Sequence, residues 1–188
     1  MVELSLNQIV LNKFGLRDSF EVGLEDLIES IEKHGLLEPL VVRPIGGEKY
    51  EVVAGNRRYL ALKKLGWSKV QCHIKKLDDK EAFEVALTEN IQRENMTPLE
   101  EAKAFKTYVK EKGWGSVTEL AKKIGKSQGY ISQRLKLLKL PEEVKQKLLV
   151  TNNFPVSHAV ELAHASIPDK AKIKVAEAIE KHGLTEKG

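Results

Sequence analysis

The chain has 188 residues, 41% hydrophobic and 31% charged, with a net charge of +4 and an isoelectric point near 9.0. That length allows one domain or two smaller ones, and the modest basic excess permits a nucleic-acid partner without requiring one. No apolar run is long enough for a bilayer, nothing resembles a secretory signal, and a single cysteine excludes an internal disulfide or a multi-cysteine zinc site; the expectation is a cytoplasmic protein with no membrane contact.

The first 76 residues mix strand and helix signals. "VELSL" alternates as a strand, and "GLEDLIESIEKHG" puts Leu24, Leu27, Ile28 and Ile31 on one helical face before stopping at Gly35. "EPLVVRPIGGEKYEVVAG" reads as a hairpin turning at Gly46-Gly47. A helix follows with Asn56 as its expected N-cap and Ala61, Leu62 and Leu65 facing inward, and Gly66 ends it. In "SKVQCHIKKL" the alternation of Val70, Cys72 and Ile74 predicts a strand with a buried thiol. "EKHGL" occurs twice, around His34 and His182, and is explained by helix-end chemistry: cations suit the C-terminal dipole and glycine takes the left-handed position.

Beyond residue 77 the signals are helical. Asp78 with Glu81, and Thr97-Pro98 with Glu100, are capping boxes that open two successive helices, the second running to Gly113. Shorter helices follow, punctuated by Gly125, Pro141, Pro155 and Pro168. The expected organisation is an α/β domain with its following helix over 1–96 and a helical domain over 97–188.

Three stretches carry chemistry. At "VVAGNRRYLAL" two arginines, Arg57 and Arg58, stand in the first turn of a helix, where the dipole disfavours cations. An anion resolves the conflict: Gly55 lets backbone approach it, the helix N–H groups bind it, and the guanidinium groups add charge-assisted bonds. The ordinary alternative is pairing with nearby carboxylates. At "TENIQRENMTP" the polar cluster of Glu89, Asn90, Gln92, Arg93 and Glu94 can hold a magnesium-bound phosphate, or can be an ion-paired helix end. At "SVTELAKKIGKSQGYISQRLKLLKLP", Ser116 and Ser127 cap two helices around Gly125 with helix-turn-helix spacing. Across the second helix and its approach, Lys126, Ser127, Gln128, Gly129, Tyr130, Ser132, Gln133, Arg134 and Lys136 are the expected DNA-binding residues. Amides and hydroxyls suit base edges, and cations suit phosphate.

In order and spacing, "LLEPLVVRP", "VVAGNRRYLAL", "ENIQRENMTPLEEA" and "LAKKIGKSQGYISQRLKLLKLPEEV" resemble the successive motifs of the ParB family of partition proteins. The resemblance implies an α+β N-terminal ParB/sulfiredoxin-like domain followed by an all-α helix-turn-helix domain. It implies binding of a palindromic double-stranded DNA site in chromosome or plasmid segregation, at the nucleoid or a plasmid, with a ParA-type ATPase as partner. It also implies CTP and Mg2+ as cofactors of a DNA clamp that self-associates through its N-terminal domain on DNA or nucleotide. Gly55, Asn56, Arg57, Arg58, Glu89, Asn90 and Arg93 fall on the nucleotide positions, Glu89 and Asn90 being near the metal and Glu89 the candidate for turnover.

Departures from the family pattern qualify this. Asn56 replaces an acidic residue and Leu60 an arginine, so turnover is expected to be slow at most. Gly15-Leu16-Arg17 keeps only the arginine of an N-terminal pattern, and Ser157-His158-Ala159-Val160 replaces Gly-His-Ala-Arg. Nothing after "EKHGLTEKG" reads as the family's C-terminal dimerisation domain, so a fragment, or a dimer formed otherwise, is expected. The alternatives are a ParB-like transcriptional or nucleoid regulator without nucleotide turnover and, further off, a kinase or nuclease on the same fold. Sulfiredoxin chemistry fits poorly, since Cys72 lies on a strand and not beside the phosphate loop.

Overall fold

The computed structural model describes residues 1–14, 16, 23–92, 96–150 and 154–182. Gly15, Arg17, Arg93 and Glu94, each singled out by the sequence, lie outside them. The chain divides into two compact units, residues 1–90 and 91–188.

The first unit is a five-stranded mixed sheet with helices. In chain order come β1 (Val2–Ser5), β2 (Ile9–Val10), α1 (Leu24–His34), β3 (Leu40–Gly46), β4 (Lys49–Ala54), α2 (Asn56–Lys64), β5 (Lys69–Ile74) and α3 (Asp79–Gln92). The sheet order is β1-β5-β3-β4-β2, antiparallel at β1/β5 and β3/β4 and parallel at β3/β5 and β2/β4. Strand alternation gives the sheet two different faces. On one, Leu4, Leu40, Val42, Val52, Val70 and Cys72 pack against Leu24 and Ile31 of α1 and Tyr59, Ala61 and Leu62 of α2. Cys72 is buried as predicted, and burial pushes its thiol up to about 11. Ile74, the third residue of that alternation, is exposed at the end of β5.

The neighbouring positions on β3 and β4 are charged. Arg43 and Glu51 are paired across the strands and buried, and Arg43 Nε donates to Glu51 Oε2 at 2.7 Å. Arg43 Nη2 reaches Asp79 Oδ1 at 2.7 Å, and Lys13 Nζ donates to the other Asp79 oxygen at 2.8 Å. A buried ion is tolerated only when paired and hydrogen-bonded, and this set meets that condition by tying the sheet to the first residue of α3. Phe14 meets Phe83 edge-on at 5.2 Å beside it.

Two local expectations shift. The hairpin turn lies at Gly47-Glu48 instead of Gly46-Gly47, because Gly46 still pairs with Lys49. Both turn residues have positive φ, 57° and 56°, which matches the twist of the flanking strands. Asn56 is not an N-cap: Gly55 caps α2 with φ 103°, and Asn56 is the first helical residue. Its Oδ1 accepts from the Asn12 N–H at 3.4 Å instead.

The second unit is helical: α4 (Pro98–Lys106), which continues into one wide turn over Thr107–Glu111, then α5 (Val117–Ile124), α6 (Gln128–Leu137), α7 (Glu142–Val150), α8 (Val156–His164) and α9 (Asp169–His182). The predicted caps are present. Thr97 with Glu100 and Ser116 with Glu119 form reciprocal boxes, and Ser127 Oγ accepts from the Tyr130 N–H at 3.0 Å. Leu120, Ala121, Ile124 and Ile131 are buried where α5 and α6 close around Gly125, whose φ is 69°. A further core gathers Leu99, Leu137, Leu140, Val144, Phe154, Ala159, Leu162, Ala176 and Ile179. Among the described residues no helix is long and apolar enough to cross a membrane.

Candidate functional site

Two regions carry the sequence-predicted residues, one in each unit. In the first, the chain leaves β4, turns at Gly55 and enters α2. A Cβ at Gly55 would lie 2.9 Å from Leu40 Cδ2, so both space and φ demand glycine. The two arginines that follow have protein partners. Arg57 Nη2 donates to Gly23 O at 2.6 Å, at the start of α1. Arg58 Nη1 donates to Glu38 O at 2.8 Å and Pro39 O at 3.0 Å, and lies 3.2 Å from the Glu38 carboxylate. Both therefore tie the entrances of α1 and β3 to the start of α2, and for Arg58 the ordinary reading of a carboxylate pair holds.

Glu89 and Asn90 lie in the last turns of α3, half-buried and in the same unit. Asn90 Nδ2 donates back to Ala86 O at 2.8 Å. Among the described residues no group of three or more His, Cys, Asp or Glu gathers as a metal site.

In the second unit, α5 and α6 form the expected helix-turn-helix. Lys126, Ser127, Gln128, Gly129 and Gln133 are exposed, and Ser132 is half-buried. Gln128 is the first residue of α6, so its amide stands at the helix tip.

The remaining predicted residues are engaged with the protein. The Tyr130 hydroxyl donates to Glu101 at 2.7 Å, and Arg134 Nε donates to Glu101 Oε2 at 2.6 Å. The Arg134 guanidinium lies 4.4 Å from the Tyr130 ring centre, and Lys126 Nζ lies 5.1 Å from it. Burial, with the bond to Glu101 next, raises the Tyr130 hydroxyl above its ordinary value. Lys136 Nζ contacts His164 Nε2 of α8 at 2.6 Å.

Glu101 is the residue the sequence missed. It reads as one more acid in a helix first turn, yet it is only 7% exposed. The available signal was Tyr130 and Arg134 at i and i+4, one stripe of α6 carrying two donors.

Residues 1–91 match the ParB N-terminal domain and residues 94–187 match the ParB HTH domain. The chain belongs to the ParB family. Among its ParB-family relatives, a nucleoid occlusion protein of Geobacillus sp. (strain WCH70) is 45% identical over 150 residues, 78% of this chain and 52% of that protein. The chain thus spans about half the length of the curated relatives it matches. A crystal structure of the C-terminally truncated chromosome-partitioning protein ParB from Caulobacter crescentus, complexed to the centromeric parS site, superposes with a TM-score of 0.71 at 31% identity, covering 98% of this chain and 94% of that one. The same Caulobacter protein complexed with CTP-gamma-S is 32% identical over 95% of this chain and 97% of that one, with a TM-score of 0.46.

Proposed function

We propose that this ParB-family chain binds double-stranded DNA sequence-specifically through α5 and α6 and acts at the nucleoid as a regulator of the nucleoid-occlusion kind. The observation that carries the DNA reading is the Ser127-capped helix α6, which leaves Gln128 and Gln133 exposed beside Lys126 while Ile131 is buried in the core. An outward amide pair with a flanking cation suits base edges and phosphate respectively. Support also comes from the ParB–parS complex that superposes along nearly the whole chain. The names of the curated relatives favour nucleoid occlusion over the partition role that the sequence motifs put first. A partition role would add a ParA-type ATPase and a plasmid or centromere address.

The test is selection of a duplex from a randomised pool by the full chain, followed by anisotropy titrations against that duplex, a parS duplex and a scrambled control. Enrichment of a palindrome bound far more tightly than the control supports the reading. No enrichment refutes it.

A second proposal concerns the nucleotide. The start of α2 fits a phosphate in charge and approach: Gly55 keeps the backbone bare, and Arg57 and Arg58 bring two guanidinium groups. Glu89 and the Asn90 carbonyl oxygen are hard ligands suited to Mg2+, with phosphate oxygens needed to complete the shell. In this reading Arg57 and Arg58 bind and orient the phosphates. Cytosine preference rests on the family resemblance alone. With Asn56 where the family carries an acid, binding without appreciable turnover is expected, and self-association of the N-terminal domain would follow nucleotide or DNA. Titrating CTP, ATP and GTP with Mg2+ by calorimetry against wild type and Arg57→Ala tests it. Binding to wild type that vanishes in the variant is expected, and indifference to all three nucleotides at millimolar concentration ends the proposal.

A further inference from the structure

The flank of α6 that looks away from Gln128 is gripped by one carboxylate. Glu101, in the first turn of α4, accepts from the Tyr130 hydroxyl and from Arg134 Nε, side chains one helical turn apart on α6. Arg134 also donates through Nη2 to the Tyr130 hydroxyl at 3.3 Å, closing a three-membered ring of bonds. Phe105, one turn after Glu101 on α4, meets the Tyr130 ring edge-on at 6.4 Å. The carboxylate sits where the positive end of the α4 dipole favours it.

Two attachment points one turn apart fix more than the distance between two helices. They fix the roll of α6 about its own axis. A helix with its side chains has a radius of about 5 Å, so a roll of a tenth of a turn moves a side-chain tip by about 3 Å. Hydrogen bonds to base edges tolerate only about 0.5 Å. The ring also neutralises Arg134: its charge faces a carboxylate at 2.6 Å and leaves little for a phosphate.

We propose that Glu101 is the positioning residue for sequence reading: acting through Tyr130 and Arg134, it sets the roll of α6 that presents Gln128 and Gln133 to base edges, while Arg134 makes no phosphate contact. This rests on the reading of α6 as the DNA-contacting helix. It reassigns Tyr130 and Arg134 from the DNA surface to the support behind it.

The test uses the full chain, the duplex enriched from a randomised pool and a scrambled duplex, each titrated over a salt series. Glu101→Gln and Arg134→Gln should each weaken the enriched duplex by about tenfold, and the double variant by no more than either single one, as for two members of one contact. The scrambled duplex should be bound as by wild type. The log–log salt slope of Arg134→Gln should equal the wild-type slope, whereas a lost phosphate contact would lower it by about 0.9. Tyr130→Phe, which keeps the ring and removes only the hydroxyl, gives a second route should Glu101→Gln fold poorly; it should reduce selectivity and leave the slope unchanged. Wild-type selectivity in folded Glu101→Gln or Tyr130→Phe overturns the inference, as does a reduced slope in Arg134→Gln. If wild type itself enriches no duplex, the reading of α6 falls first and the inference goes with it.

Discussion

Arg57 and Arg58 stand where a helix dipole repels cations, and the structure shows one way that placement is tolerated: carbonyl oxygens at the entrances of α1 and β3 accept from both. These bonds make the junction a structural knot as well as a candidate anion site. Gly55 is its tightest point, with φ 103° and Leu40 Cδ2 2.9 Å from any added Cβ. Gly55→Ala should therefore destabilise the first unit by about 1–3 kcal/mol, read as a lower urea midpoint at unchanged slope. Asp79 gives a pH-dependent counterpart. Hydrogen bonds from Lys13 and then Arg43 hold its carboxyl below the usual range, so its stabilising contribution is present above the unfolded value of about 3.9 and is lost as pH falls through the lower folded value. The side chain is half exposed, which keeps the effect within about 1 kcal/mol after screening. Denaturation midpoints for wild type and Asp79→Asn should therefore converge as pH drops from about 6 to below about 3.

At the level of elements, the proposed reading has α6 touch DNA with its exposed amides and hold its place through Tyr130 and Arg134. Gln128→Ala and Gln133→Ala should each cost about 1–3 kcal/mol on the enriched duplex and relax selectivity. Lys126→Ala should weaken every duplex alike and lower the salt slope by about 0.9. A Gln128 and Gln133 double replacement with undiminished selectivity would mean another element reads the bases. The capping box of α4 and the Ser116 and Ser127 caps of α5 and α6 were legible in the sequence because each is decided within four consecutive residues. The Glu101–Arg134 bond joins positions 33 apart, and Arg43–Asp79 joins positions 36 apart. No periodicity encodes such pairings, so neither bond was legible in the sequence. Asn56 was misplaced for a local reason. Asparagine is a good N-cap, but Gly55 beside it takes a left-handed conformation that asparagine adopts less readily, and it became the cap.

At the scale of the whole chain, the order of an α/β unit and a helical unit was legible because alternating, strand-like stretches occur among the helical ones only up to about residue 76, and the signals beyond it are helical. Each unit has its own core, so unfolding is expected in two steps that different ligands move separately. Calorimetry should show the selected duplex raising the helical unit's transition and CTP with Mg2+ raising only the other. Cys72 offers a finer clock. It is the only thiol in the sequence, wholly buried on β5 between β1 and β3, and holds its proton to about pH 11. A thiol-specific dye can therefore attack only during moments when the sheet comes apart, and no signal arises from residues 91–188. The labelling rate of the unmodified protein counts those openings in one unit alone. Labelling slowed by the enriched duplex would show that a ligand held by the helices is felt in the sheet, with no mutation or spectroscopic tag required.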